Sequence, residues 1–339
     1  MIVSPYLSAR IANVSLVASL AVAFLHFAVE SGQTSPDTPV RMLLRDLCRF
    51  AVPYFFLVSG FFLAGHAGEP GWWRRETLKR MRTVLVPYLA WSLAFGAFML
   101  AAVAGPELCR THAFDWSAWW QAKRFLLMGL DLREPPLLLP LWYLRTLLLL
   151  VLISPVLFGL VRKAPRMTLG VLGLAYLSFS VGIDRFPDST AYGPVALMRQ
   201  TLAPEAFFFF SVGAWLRRHD VGLPGGRAWP WIVAAVVMLL LRQACGIVPY
   251  ALVVPITLIG VWNAVPGTTW PRTLTALAFP IYLIHYFFVI LAARSGGGAF
   301  ASAPCFVVAS IAILVASAGV GLALRRLPAS VVAILFGGR

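Results

Sequence analysis

The sequence predicts an all-α fold, a polytopic integral membrane bundle of about ten transmembrane helices forming one domain over residues 1–339. Three observations predict it. Hydrophobic residues make up 60% of the chain and charged residues only 12%. The mean hydropathy of +0.82 is more than a water-soluble fold could hide. Apolar runs close to the roughly 20 residues that cross about 30 Å of hydrocarbon recur along the chain, with polar or proline-containing stretches between them.

The first run, Ile11 to Glu30, is too long and too weakly flanked by a cleavage-type site to be a removed signal peptide, so it is expected to stay as the first helix. Runs two to four lie at Leu47 to Gly65, Val84 to Ala104 and Leu137 to Val161, set off by stretches such as Gly32 to Thr38 and Gly65 to Gly71. Thr168 to Ile183 and Leu202 to Leu216 follow. Trp229 to Ala244 and Val248 to Ala264 are divided only by Cys245 to Ile247, and Arg242 interrupts the first, so a single re-entrant hairpin is the alternative there. Leu274 to Ala293 and Pro304 to Leu324 complete the set, and with Arg339 close behind no soluble extension is expected.

Short cytoplasmic loops carry the excess of Lys and Arg. With the N-terminus inside, sixteen of the 28 cationic residues fall on inside segments, eleven fall outside, and Arg145 is intramembrane. Both termini are therefore expected in the cytoplasm. The loop from Arg74 to Arg82 would face CoA-type or lipid phosphates there, or serve as a plain positive-inside anchor. A net charge of +15 could suggest nucleic acid, but no basic soluble domain, zinc spacing or aromatic-basic stripe accompanies it, so no nucleic-acid partner is expected. Cys48, Cys109, Cys245 and Cys305 lie far apart without CxxC spacing, which indicates neither a metal site nor a disulfide framework.

Polar residues inside apolar runs mark function because they are costly there. His26 lies roughly 20 Å above the cytoplasmic boundary at 1.5 Å per residue, and Glu30 follows on the same helix face. A carboxylate beside an imidazole is the arrangement of a general base with its orienter; a polar interhelical contact beside a helix end is the bland alternative. Run four carries Trp142 and Tyr143 at the interface and sinks Arg145 below it. Arg49 and Glu205 fall at a similar level, which implies a polar cavity open to the outside. Tyr282 and His285 put a second imidazole midway through run nine. Pro53 frees a backbone carbonyl, and Ser59-Gly60 permits close helix contact.

In combination these segments resemble acyltransferase family 3, the integral membrane acyltransferases of surface polysaccharides. The carriers are His26 closing run one, the pattern Pro53 to Gly60, Lys79-Arg80 followed by Pro87-Tyr88, Leu141 to Leu144 leading to Ser154-Pro155, and Ile281 to His285. The resemblance spans nearly the whole chain. It implies about ten transmembrane helices in a bacterial inner membrane and acyl-CoA, commonly acetyl-CoA, as cytoplasmic co-substrate, without a metal. It also implies delivery of the acyl group to a hydroxyl of a surface glycan or related acceptor.

The family's functional histidine maps onto His26. Many members carry an arginine eleven positions earlier, where this chain has Ser15. Lys79, Arg80 or Arg82 could supply the phosphate contact instead, since guanidinium groups bind phosphate oxygens bidentately. His26 is then the candidate base, or alternatively the group that carries the acyl covalently, with Glu30 orienting it. Arg145 or Tyr143 contacts the oxyanion or acceptor, and Trp142, Arg49, Glu205, Tyr282 and His285 line the substrate site. A glycan or small-molecule transporter or flippase would use similar intramembrane residues, but no inverted repeat relates the two halves. A membrane subunit that binds a glycan without turnover is a third reading.

Overall fold

The computed structural model describes residues 4–32, 38–104, 136, 138–185, 202–246 and 248–338; Cys109 lies outside them. Every described element is helical, as the backbone requires where no water can satisfy it. Run one is α1 (Pro5–Gly32), which begins a turn and a half earlier than its apolar stretch. Run two is α2 (Pro39–Leu47), a 3-10 turn Cys48–Phe50 and α3 (Ala51–Ala64). Run three is α4 (Trp72–Arg80), a π-helical segment Met81–Leu85 and α5 (Val86–Ala104).

A second 3-10 turn, Leu139–Leu141, leads into α6 (Trp142–Lys163), and α7 (Pro165–Arg185) and α8 (Pro204–His219) follow. Then come α9 (Trp229–Cys245) and α10 (Tyr250–Ala264), a four-residue α11 (Arg272–Thr275), α12 (Ala278–Gly296), α13 (Ala303–Leu324) and a short α14 (Ala329–Phe336). Among the described residues six spans are long and apolar enough to cross a membrane by themselves, and α9 and α10 are shorter apolar helices. The protein is an all-α membrane bundle.

Local chemistry explains the irregular points. Pro87 has no N–H to offer the carbonyl four residues back, and the turn before it widens so that the Val86 N–H bonds Met81 instead. Arg242 ends α9 by donating to the Val248 carbonyl at 2.8 Å and stacking on Tyr250 at 3.7 Å. The cation that interrupts run seven is thus the clasp of the α9–α10 turn.

The tightest helix pair is α3 with α8. Gly60 lies against the Phe210 carbonyl and Gly213 against the Leu57 carbonyl, so a Cβ at either position would overlap the partner backbone. Small residues that let backbones touch are the usual means of joining helices in lipid, where apolar burial gives no preference. A second seam joins α1 to α12, and α13 covers that pair while showing Val308, Ile311 and Val315 to lipid.

One face gathers the basic ends. Asn13 near the start of α1 donates to the Pro266 and Thr268 carbonyls at 3.0 and 2.7 Å, tying the loop before α11 to it. Trp91 donates to Leu335 at 2.8 Å, and Gly337 lies on the Thr83 carbonyl, so α14 closes against the π segment on the same face.

Gly60→Ala or Gly213→Ala should lower the thermal midpoint in detergent, at a cost of about 1–3 kcal/mol for overpacking. Gly170→Ala, where an added Cβ meets open space, should leave the midpoint unchanged. Equal midpoints for all three variants would contradict the reciprocal backbone contact.

Candidate active site

The α1–α12 seam brings two imidazoles together. The His26 and His285 ring centroids are 5.4 Å apart at 33°, and the Tyr286 ring meets His26 edge-on at 5.3 Å. His285 is fully buried; its Nδ1 lies 3.0 Å from the Ile281 carbonyl one turn back, while its Nε2 has no hydrogen-bond partner among the described residues. Tyr286 donates its hydroxyl to Glu30 Oε1 at 2.9 Å. Glu30 is thereby held by the tyrosine that walls His26, so its influence on the imidazole runs through the placement of that ring.

Two cavities lie along α1, α3 and α6, one above the other. The far cavity, about 360 Å³, is lined by His26, Arg49, Pro53, Trp142, Tyr176, Glu205 and Tyr250 among others. Here Arg49 stacks over Tyr250 at 4.1 Å and its Nε donates to Asp46 at 3.2 Å. Proline 204 starts α8 and puts Glu205 in its first turn, where a carboxylate favours the helix N-terminus.

The basic-side cavity, about 300 Å³, is lined by Ser15, Ser19, Phe55, Ser59, Arg80, Tyr143 and Tyr282 among others. Ser15 donates to the Ile11 carbonyl at 2.7 Å, and Tyr54 donates to the same oxygen at 2.8 Å. Among the described residues the one cation lining this cavity is Arg80, whose guanidinium lies 3.5 Å from Glu76.

Three rings line the basic-side cavity beside residues that line the far one, Phe55 two residues from Pro53 and Tyr143 next to Trp142. Tyr143 lies 5.8 Å from both Phe55 and Tyr282, and Phe55 lies 6.4 Å from Tyr282. The Tyr143 hydroxyl is 3.2 Å from Ser59 Oγ, and Tyr282 donates to the Pro140 carbonyl. Ser19 lines the basic-side cavity and His26 the far one, seven residues or about 10 Å of helix apart. The two cavities thus meet α1 about two turns apart.

The structure thus gathers His26, Arg49, Trp142 and Glu205 in one cavity and Arg80, Tyr143 and Tyr282 in the other. Glu30 and His285 stand behind His26 in the seam. Arg145 is buried and lines neither cavity; its charge acts on Tyr88 of α5. Lys79 pairs with Glu76 at 3.8 Å, and Arg82 is exposed in the π segment. Sequence reasoning missed Tyr176, Tyr250 and Tyr286. Each is a hydroxyl-bearing ring within or at the start of an apolar run, a signal that could have marked them.

The sequence matches the family profile of an acyltransferase domain, Acyl_transf_3, over residues 16–322. It is 31% identical over 182 residues to the succinoglycan biosynthesis protein ExoH of Rhizobium meliloti (strain 1021). That match covers 52% of this chain and 43% of ExoH, so the chain spans under half the length of this relative. No solved structure matches. With the profile covering most of the chain and the helices forming a membrane bundle, the protein is a member of acyltransferase family 3, the integral membrane acyltransferases.

Proposed function

We propose that the protein takes an acyl group from acyl-CoA at its basic face and transfers it to a hydroxyl of a surface polysaccharide or related glycan at the far face. The observation that carries this reading is the pair of stacked cavities, with Arg80 in one and His26 in the other. The acceptor class draws on similarity to a relative named for succinoglycan biosynthesis. Acetyl is the expected acyl group. The excess of cations on the basic face supports placing that face, and both termini, in the cytoplasm of a bacterial inner membrane.

In this reading Arg80 meets a phosphate of CoA at the mouth of the basic-side cavity. It takes the place of the arginine that Ser15 replaces. The thioester passes the septum of Phe55, Tyr143 and Tyr282, whose rings must part for its carbonyl to come within reach of His26. The acceptor sits in the far cavity, where Trp142 and Tyr176 offer rings and Arg49, held on the Tyr250 ring, and Glu205 offer charge. Rings beside a few polar groups suit a sugar, with its apolar faces and polar rim.

His26 removes the acceptor proton as the oxygen attacks the thioester carbonyl, because an imidazole can take and return a proton near neutral pH. Tyr143 is the donor nearest the septum for the oxyanion that forms. The attack forms the new carbon–oxygen bond, and collapse of the tetrahedral intermediate restores the carbonyl and breaks the carbon–sulfur bond, leaving the ester. The proton held by His26 then passes to the leaving thiolate, giving CoA.

His26→Ala should lower transfer on the order of 10²- to 10⁴-fold at matched membrane abundance, read by NMR of O-acyl groups on the isolated surface glycan. Wild-type acylation would remove His26 from the reaction. Tyr286→Phe, which removes the hydroxyl bonded to Glu30, should lower kcat by roughly two- to tenfold while leaving acyl-CoA affinity unchanged; an unchanged kcat would reduce the tyrosine to packing. Arg80→Ala should weaken acyl-CoA binding roughly tenfold by calorimetry, and wild-type affinity would place the phosphates elsewhere.

A further inference from the structure

A third cavity, about 460 Å³, opens on the basic face between the ends of α3, α6 and α8, and the proposed reaction makes no use of it. Its rim carries Arg162, Arg217 and Arg218, and its bed is apolar, including Ala64, Pro155, Gly159 and Ala214. Trp72 stacks on Phe158 at 5.8 Å to form one wall. Arg217 lies over the Phe61 ring at 5.2 Å.

Cations at helix C-termini suit the helix dipole wherever they point. Here three of them, from two helices, converge on one hollow. The nearby carboxylates are engaged elsewhere, Glu69 with Arg75 and His66, Glu76 with Lys79, Arg80 and His66. Arg162 and Arg218 have no ion-pair partner among the described residues.

The flank of the hollow identifies the occupant. On α6 the lining residues Pro155 and Gly159 alternate with Val156 and Leu160, which are 65% and 45% exposed. The apolar bed is therefore continuous with the lipid-facing surface, and only its rim is charged. An acyl chain can lie on the bed while a phosphate meets the guanidinium groups, the pattern of headgroup pockets between membrane helices. We infer that this cavity binds an anionic phospholipid through its phosphate, with an acyl chain over Gly159.

Native mass spectrometry of protein taken from mixed micelles of equal phosphatidylglycerol and phosphatidylethanolamine tests this. The wild type should retain phosphatidylglycerol selectively. Two variants remove different halves of the site: R162Q/R218Q takes away charge, and Gly159→Leu fills the bed, where an added Cβ meets open space. The charge variant should lose retention roughly 30-fold, the scale for two cations near an anionic headgroup, and the bed variant should lose selective retention as well, both while eluting as the same monodisperse species. Arg326→Gln, exposed beyond α13, should retain lipid as the wild type does. Wild-type retention by the site variants, or retention of phosphatidylethanolamine equal to that of phosphatidylglycerol, would overturn the inference. So would displacement of the lipid by millimolar acyl-CoA or inorganic phosphate, which would mark the cavity as a site for a soluble phosphate.

Discussion

The reciprocal contact in which Gly60 rests on the Phe210 carbonyl and Gly213 on the Leu57 carbonyl sets the position of everything else. In lipid no solvent drives apolar faces together, so helices are joined by close packing and polar contacts. Drawing α3 onto α8 makes α3 a wall common to both cavities, with Val52 and Pro53 lining the far one and Phe55, Val58 and Ser59 the basic-side one. The same contact carries Glu205, at the start of α8, to the far cavity.

The second constraint is the cost of polar atoms in a dry seam. His285 satisfies one nitrogen on its own helix through the Ile281 carbonyl, and Tyr286 satisfies its hydroxyl on Glu30 across the seam. These contacts fix two walls around His26 and leave its ring to face the far cavity. The septum obeys the same rule, since Tyr143 is matched to Ser59 and Tyr282 to Pro140. Polar groups that hold the aromatic barrier in place also lie where an acyl group would have to pass. The geometry therefore suits a reaction divided between two faces of a membrane better than one carried out in a single pocket.

Much of the architecture was legible in the sequence because chain length and hydropathy report it directly. The ten apolar runs are helical over most of their described residues, and His26 lines a cavity. Helix rotation was not legible. In a soluble protein the buried face is the apolar face, but in lipid both faces are apolar, so periodicity does not say which residues look inward. Arg145 shows the consequence: its place in an apolar run was readable, but that it is buried and lines neither cavity was not. Glu30 was likewise assigned to its nearest neighbour along the helix, whereas Tyr286, 256 residues away, reaches it across the seam. The division into two cavities depends on three rings from α3, α6 and α12 meeting in space, which no single run encodes.

The central claim is that donor and acceptor are used from opposite faces, and proteoliposomes test it most directly. Protein inserted with its basic face outward would receive labelled acyl-CoA outside, with the glycan acceptor sealed in the lumen. The account predicts labelled glycan in the lumen with the wild type and none with His26→Ala. Labelling only when acceptor and acyl-CoA share one compartment would contradict it.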